Sequence, residues 1–78
     1  MHGIYFDVNE GDERGRFDLG IPGALRDIDA VRSELTDGMH VILYDNEEVE
    51  VEAVIEFDQE YGRWMASPLW NTIKRSYE

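Results

Sequence analysis

Cysteine is absent, and with it any disulfide framework or thiolate metal site. No apolar run comes near the ~20 residues that cross a bilayer. The opening MHGIYFDVNE has neither the basic start nor the apolar core of a secretory leader, so a cytoplasmic location is expected. Basic residues are scarce: seven Lys and Arg stand against 18 Asp and Glu, a formal net charge of −11. Bare nucleic acid and anionic membrane are therefore not expected as partners, because both are gripped by neutralising phosphates. Phosphate-cradling loops of the GxGxxG or GxxxxGK(S/T) kind are also missing. Histidine is limited to His2 and His40, and Ser33, Ser67 and Ser76 lack a nearby histidine or Gly-rich elbow. No nucleophilic triad is expected.

What is present suits one small core. The 78 residues form a single expected domain, 1–78, and a hydrophobic fraction of 42% argues against disorder despite the charge. No repeat, linker or low-complexity stretch divides it. Gly3 to Val8 (GIYFDV) is rich in strand formers. After the polar loop NEGDERG, Arg16 to Leu19 (RFDL) reads as a second strand, closing a hairpin with the first. The breaker cluster GIPG follows. Then Leu25, Ile28, Val31 and Leu35, at spacings of three and four, predict one amphipathic helix over about 24–34. Gly38 is suited to the turn that follows it.

Met39 to Tyr44 (MHVILY) is almost wholly apolar, which predicts a strand covered on both faces. After the turn DNEE, Glu48 to Asp58 alternates: Val49, Val51, Ala53, Ile55 and Phe57 on one side, Glu48, Glu50, Glu52, Glu56 and Asp58 on the other. Val54 alone interrupts the acidic row and marks a bend or a neighbour. RWMAS is the last clear strand. PLWNTIK then reads as a helical turn or a short closing strand. The expected fold class is α+β, mostly β: a small, strongly bent antiparallel sheet or partly open barrel of about five strands, capped by the helix.

The run from Asp37 to Trp70 carries Gly38-Met39, Leu43-Tyr44-Asp45, Val51-Glu52-Ala53, Phe57-Asp58 and Trp64-Met65-Ala66. In these it resembles a family of small uncharacterised bacterial proteins. The family has no assigned activity, so the resemblance implies no catalytic residue. The strand and turn rhythm is also similar to Src-homology-3-like (SH3-like) and Tudor-like barrels. The N-terminal strands and the helix depart from that pattern.

Each chemical motif has a plainer explanation. Asp7 to Asp18 (DVNEGDERGRFD) places Asp7, Asn9 and Asp18 at positions one, three and twelve of a calcium loop. Position six is Asp12 instead of the required glycine, and no helix precedes the loop, so a hairpin loop is expected. Glu50 and Glu52 would stand about 6.6–6.8 Å apart. That separation suits an inverting glycosidase, yet any alternating strand supplies it. A lone strand histidine such as His40 is ordinarily packed or half-exposed. No enzyme activity, cofactor or metal is expected.

The acidic row is denser than solubility requires. Same-face glutamates repel, and Glu is a poor strand former. Carboxylates repeating at ~6.7 Å also imitate a phosphate backbone, whose charges repeat every ~3.4 Å per strand. The expected function is a non-enzymatic interaction protein that binds a basic partner surface through Glu48, Glu50, Glu52, Glu56 and Asp58. Its sharpest form is a nucleic-acid-mimicking inhibitor of the phage anti-defence type. The alternative is an SH3-like adaptor that docks a peptide through Tyr44, Tyr61 and Trp70. An exposed edge strand would also allow a second copy to pair.

Overall fold

The computed structural model describes residues 1–46 and 49–75. Among them, six strands share one sheet: β1 (Gly3–Tyr5), β2 (Phe17–Asp18), β3 (His40–Tyr44), β4 (Val49–Asp58), β5 (Arg63–Pro68) and β6 (Lys74–Arg75). The strand order is β1-β3-β4-β5-β2, with β6 paired to the start of β4. The sheet curls into a half-barrel, and the single helix α1 (Pro22–Val31) packs against β1. No helix among the described residues is long and apolar enough to cross a membrane.

The curl originates in β4. β3 pairs with Glu50–Val54 and β5 with Ala53–Asp58, so only Ala53 and Val54 have a full strand on both sides. Val54, the residue that interrupts the acidic row, meets His40 on one flank and Ser67 on the other. Before this overlap, the β5 side of β4 is completed by smaller pieces. β6 pairs with Val49 and Glu50, and the 3-10 turn Trp70–Thr72 brings the Thr72 hydroxyl to the Glu52 amide at 2.9 Å. PLWNTIK is thus both a helical turn and a closing strand.

The expected N-terminal hairpin does not form. β1 runs parallel to β3, with Ile4 beside Leu43, while β2 lies at the opposite end of the order, antiparallel to β5. The sheet is consequently mixed. Asp12 folds the intervening loop on itself by accepting the Arg14 and Arg16 amides at 3.0 and 2.8 Å, which directs Phe17 away from β1 and onto β5. Phe6 and Phe17 then meet edge to face, ring centroids 5.1 Å apart, inside the curl.

Pro22 starts α1 where a missing N–H costs nothing. The buried positions are Ala24, Ile28 and, beyond the following 3-10 turn (Arg32–Glu34), Leu35. Leu25, expected on this face, is 38% exposed, because the narrow contact with β1 admits one stripe only. With Ile4, Phe6, Leu19, Val41, Leu43, Val51, Ala53 and Ile55, these side chains form one core on the inner face of the curl. β3 therefore alternates: Val41 and Leu43 are buried, His40 is exposed, and Ile42 and Tyr44 are half-buried. Among the described residues no further layer covers its second face, contrary to the expectation from its apolar run.

Candidate functional site

Because Val51, Ala53 and Ile55 point inward, the pleat sends Glu50, Glu52, Glu56 and Asp58 to the outer face. Glu48 lies outside the described residues. The four described acids are in unlike environments. Glu50 and Glu56 are exposed, whereas Glu52 and Asp58 are half-buried.

The second half of the row is neutralised from within. Arg16 precedes the inward-pointing Phe17, so it lies on the outer face, and only 5% of its side chain is exposed. Its Nε donates to Asp12 Oδ2 at 3.0 Å, and its Nη1 donates to Glu56 Oε1 at 3.1 Å and Asp58 Oδ2 at 3.0 Å. Burial works against the guanidinium charge, but bonds to Glu56, Asp58 and Asp12 outweigh it and raise the Arg16 pKa. Burial also opposes the Asp12 charge. The amides and side chain of Arg16 and Arg14 around that carboxylate prevail and lower its pKa. Asp58 is lowered chiefly by the Tyr61 amide, 2.9 Å from its Oδ1, and further by Arg16. The Tyr61 ring lies over two cations, 6.0 Å from Arg16 Cζ and 5.7 Å from Arg63 Cζ.

Arg16 is the principal site residue that sequence reasoning missed. Its strand partners are 40 and 42 positions away, so no local spacing reveals it. The available signal was parity: a buried Phe17 obliges Arg16 to share the outer face with the acids.

The first half of the row stays open. Glu52 Oε2 lies 2.6 Å from His40 Nδ1, which places that histidine as a partner of the row. Glu50 stands opposite Lys74 in the strand register, yet among the described residues it makes no ion pair. Beside both acids is a cleft of about 440 Å³, lined among others by Met1, Ile42, Thr72, Ile73 and Lys74.

The three aromatics of the adaptor reading are not brought together. Tyr44 pairs across from Glu50, whereas Tyr61 follows Asp58 at the other end of β4, up to ~27 Å away. Tyr44 donates its hydroxyl to Asp27 Oδ2 at 2.5 Å and packs edge-on to Tyr5. That hydrogen bond, together with burial, raises the Tyr44 pKa. Trp70, 52% exposed, rests edge-on against the inward Phe17 and belongs to the other face. No single groove joins the three.

Among the described residues, no group of three or more His, Asp or Glu is arranged to hold a metal ion. The acids of the Asp7–Asp18 loop serve local turns: Asp7 accepts the Asn9 amide, and Asp18 accepts the Gly20 amide and pairs with Arg63. Comparison with protein-family models, curated proteins and solved structures gave no match.

Proposed function

We propose that this chain is a non-enzymatic acidic interaction protein, binding a basic partner surface through the outer face of β3 and β4. The observation that carries this reading is the asymmetry of the acidic row. Glu56 and Asp58 are internally balanced by Arg16, while Glu50 has no ion-pair partner among the described residues and Glu52 meets only a histidine. Where the sequence keeps unbalanced like charge in a strand, at a cost in self-repulsion, an external cation offsets that cost. A net charge of −11 would also steer a basic partner towards this face.

A nucleic-acid-mimicking inhibitor is the sharper form of the reading. Its support now rests on Glu50, Glu52 and the overall charge, because Arg16 interrupts any long phosphate-like repeat. The test is affinity capture at low salt with the parent chain and with Glu50→Lys/Glu52→Lys. The expected result is a basic protein whose binding weakens steeply with salt and disappears in the variant, with an unchanged circular dichroism spectrum. Binding that ignores salt and is lost on Trp70→Ala would instead assign docking to the aromatics.

A further inference from the structure

Arg16 demonstrates how β4 holds a guanidinium. Glu56 and Asp58 are two residues apart on the outer face, and Arg16 Nη1 reaches both, at 3.1 and 3.0 Å. Glu50 and Glu52 repeat that arrangement earlier on the same face of the same strand. Among the described residues, no Arg or Lys makes an ion pair with either of them, although Lys74 stands opposite Glu50 in the strand register and lines the adjoining cleft. The second pair has its cation built in as an ion pair; the first adjoins a cleft in which Lys74 is a neighbour but not an ion-pair partner.

That cleft offers apolar and acidic lining with room for an arginine side chain. Ile42, opposite Glu52 in the register, and Ile73, 37% exposed, supply apolar walls for an aliphatic stem. Glu50 and Glu52 line the same cleft, whose volume is about 440 Å³. His40 holds Glu52 Oε2 and so leaves Oε1 for an incoming donor. We propose that Glu50 and Glu52 receive one arginine of the basic partner here, as Glu56 and Asp58 receive Arg16. The inference rests on the reading that the outer face binds a basic protein. Arginine is favoured over lysine because a planar fork bridges two separated carboxylates, while an ammonium is a point charge.

The experiment is an NMR titration of the isotope-labelled chain with an oligoarginine peptide, and separately with oligolysine, at low salt. Amide shifts are expected to centre on Ile42, Glu50, Glu52, Thr72 and Lys74. Glu50→Gln/Glu52→Gln should raise Kd roughly tenfold. Ile73→Ser should raise it by a smaller factor, and oligolysine should bind more weakly than oligoarginine. Conserved amide patterns in the variants show that each retains its fold. Oligoarginine binding that centres elsewhere, with Kd unaltered by Glu50→Gln/Glu52→Gln, overturns the cleft assignment and leaves the acidic-face reading standing. Equal affinity for the two peptides overturns the choice of arginine. Absence of binding by either peptide removes both the cleft and the acidic-face reading.

Discussion

Asp37 Oδ1 accepts the Phe57 amide at 2.6 Å, and this bond occupies a flank of β4 that β3 leaves uncovered. Asp27 does the same for β1, accepting the Tyr5 amide at 2.9 Å. In each case an aspartate accepts the amide hydrogen that the carbonyl of a further strand would have accepted. An open edge invites pairing with another chain, and a charged side chain laid along it discourages that pairing. At these two places the amide that an added strand would need is already bonded to an aspartate.

Removing one of these caps should be visible in solution. Asp37→Ala frees the Phe57 amide on an edge that also exposes the Phe57 ring, 40% accessible. The variant is expected to self-associate more readily than the parent chain in sedimentation velocity at matched concentrations. Asp37→Asn keeps a carbonyl acceptor and should behave like the parent.

The Arg16 cluster should govern much of the stability of the β2–β5–β4 side. Arg16→Met leaves Asp12, Glu56 and Asp58 facing one another without a cation, and Tm is expected to fall by roughly 5–10 °C. Arg16→Lys should recover only part of the loss, since one ammonium cannot reproduce the fork that reaches three carboxylates. Thermal melts at low and high salt check both.

Acid should act through the same cluster. Asp12 and Asp58 have folded pKa values below the ordinary 3.8, so the folded state holds their charged forms. Below that ordinary value the unfolded chain takes up protons first, so the contribution is complete above about pH 5 and is lost as pH falls through the depressed folded values. Urea midpoints measured between pH 6 and pH 3 should decline, and the decline should be shallower in Asp12→Asn, which starts with less to lose.

At the alkaline end the sign reverses in direction of pH. Tyr44 has a folded pKa above 10.0 because its hydroxyl donates to Asp27 and is partly buried. Its contribution is complete below pH 10 and disappears as pH rises through the raised folded value. Ultraviolet titration should show a tyrosine that ionises above pH 10, and Tyr44→Phe should abolish that step.

Core truncation should separate the inner face from the helix surface. Leu43 is fully buried, so Leu43→Ala is expected to cost about 2–5 kcal/mol in urea denaturation. Leu25→Ala, at a position 38% exposed, should cost less than about 1 kcal/mol.

Much of this molecule was legible residue by residue. The alternation of Val49 to Asp58 sets which side of β4 is buried, because the pleat allows only two faces and apolar groups leave water together. The three-and-four spacing of Leu25, Ile28 and Val31 sets the helix, with Pro22 at its start, while Gly38, at positive φ, serves the later turn into β3. Leu25 was misplaced because periodicity gives a stripe without giving the width of the surface that receives it. MHVILY was misjudged because apolar composition does not by itself count layers.

The partnerships were decided elsewhere. Whether β1 joins β2 or β3 depends on contacts between Phe6, Phe17 and the core, made only when distant segments are in place. Whether a glutamate is an open charge or half of an ion pair depends on where Arg16 arrives, some 40 positions from Glu56. The sequence determined local periodicity and total charge, since both are properties of neighbours along the chain. The tertiary structure decided strand order, edge capping and the split of the acidic row into a balanced half and an open one, because Coulomb and hydrogen-bond partners are chosen by distance in space.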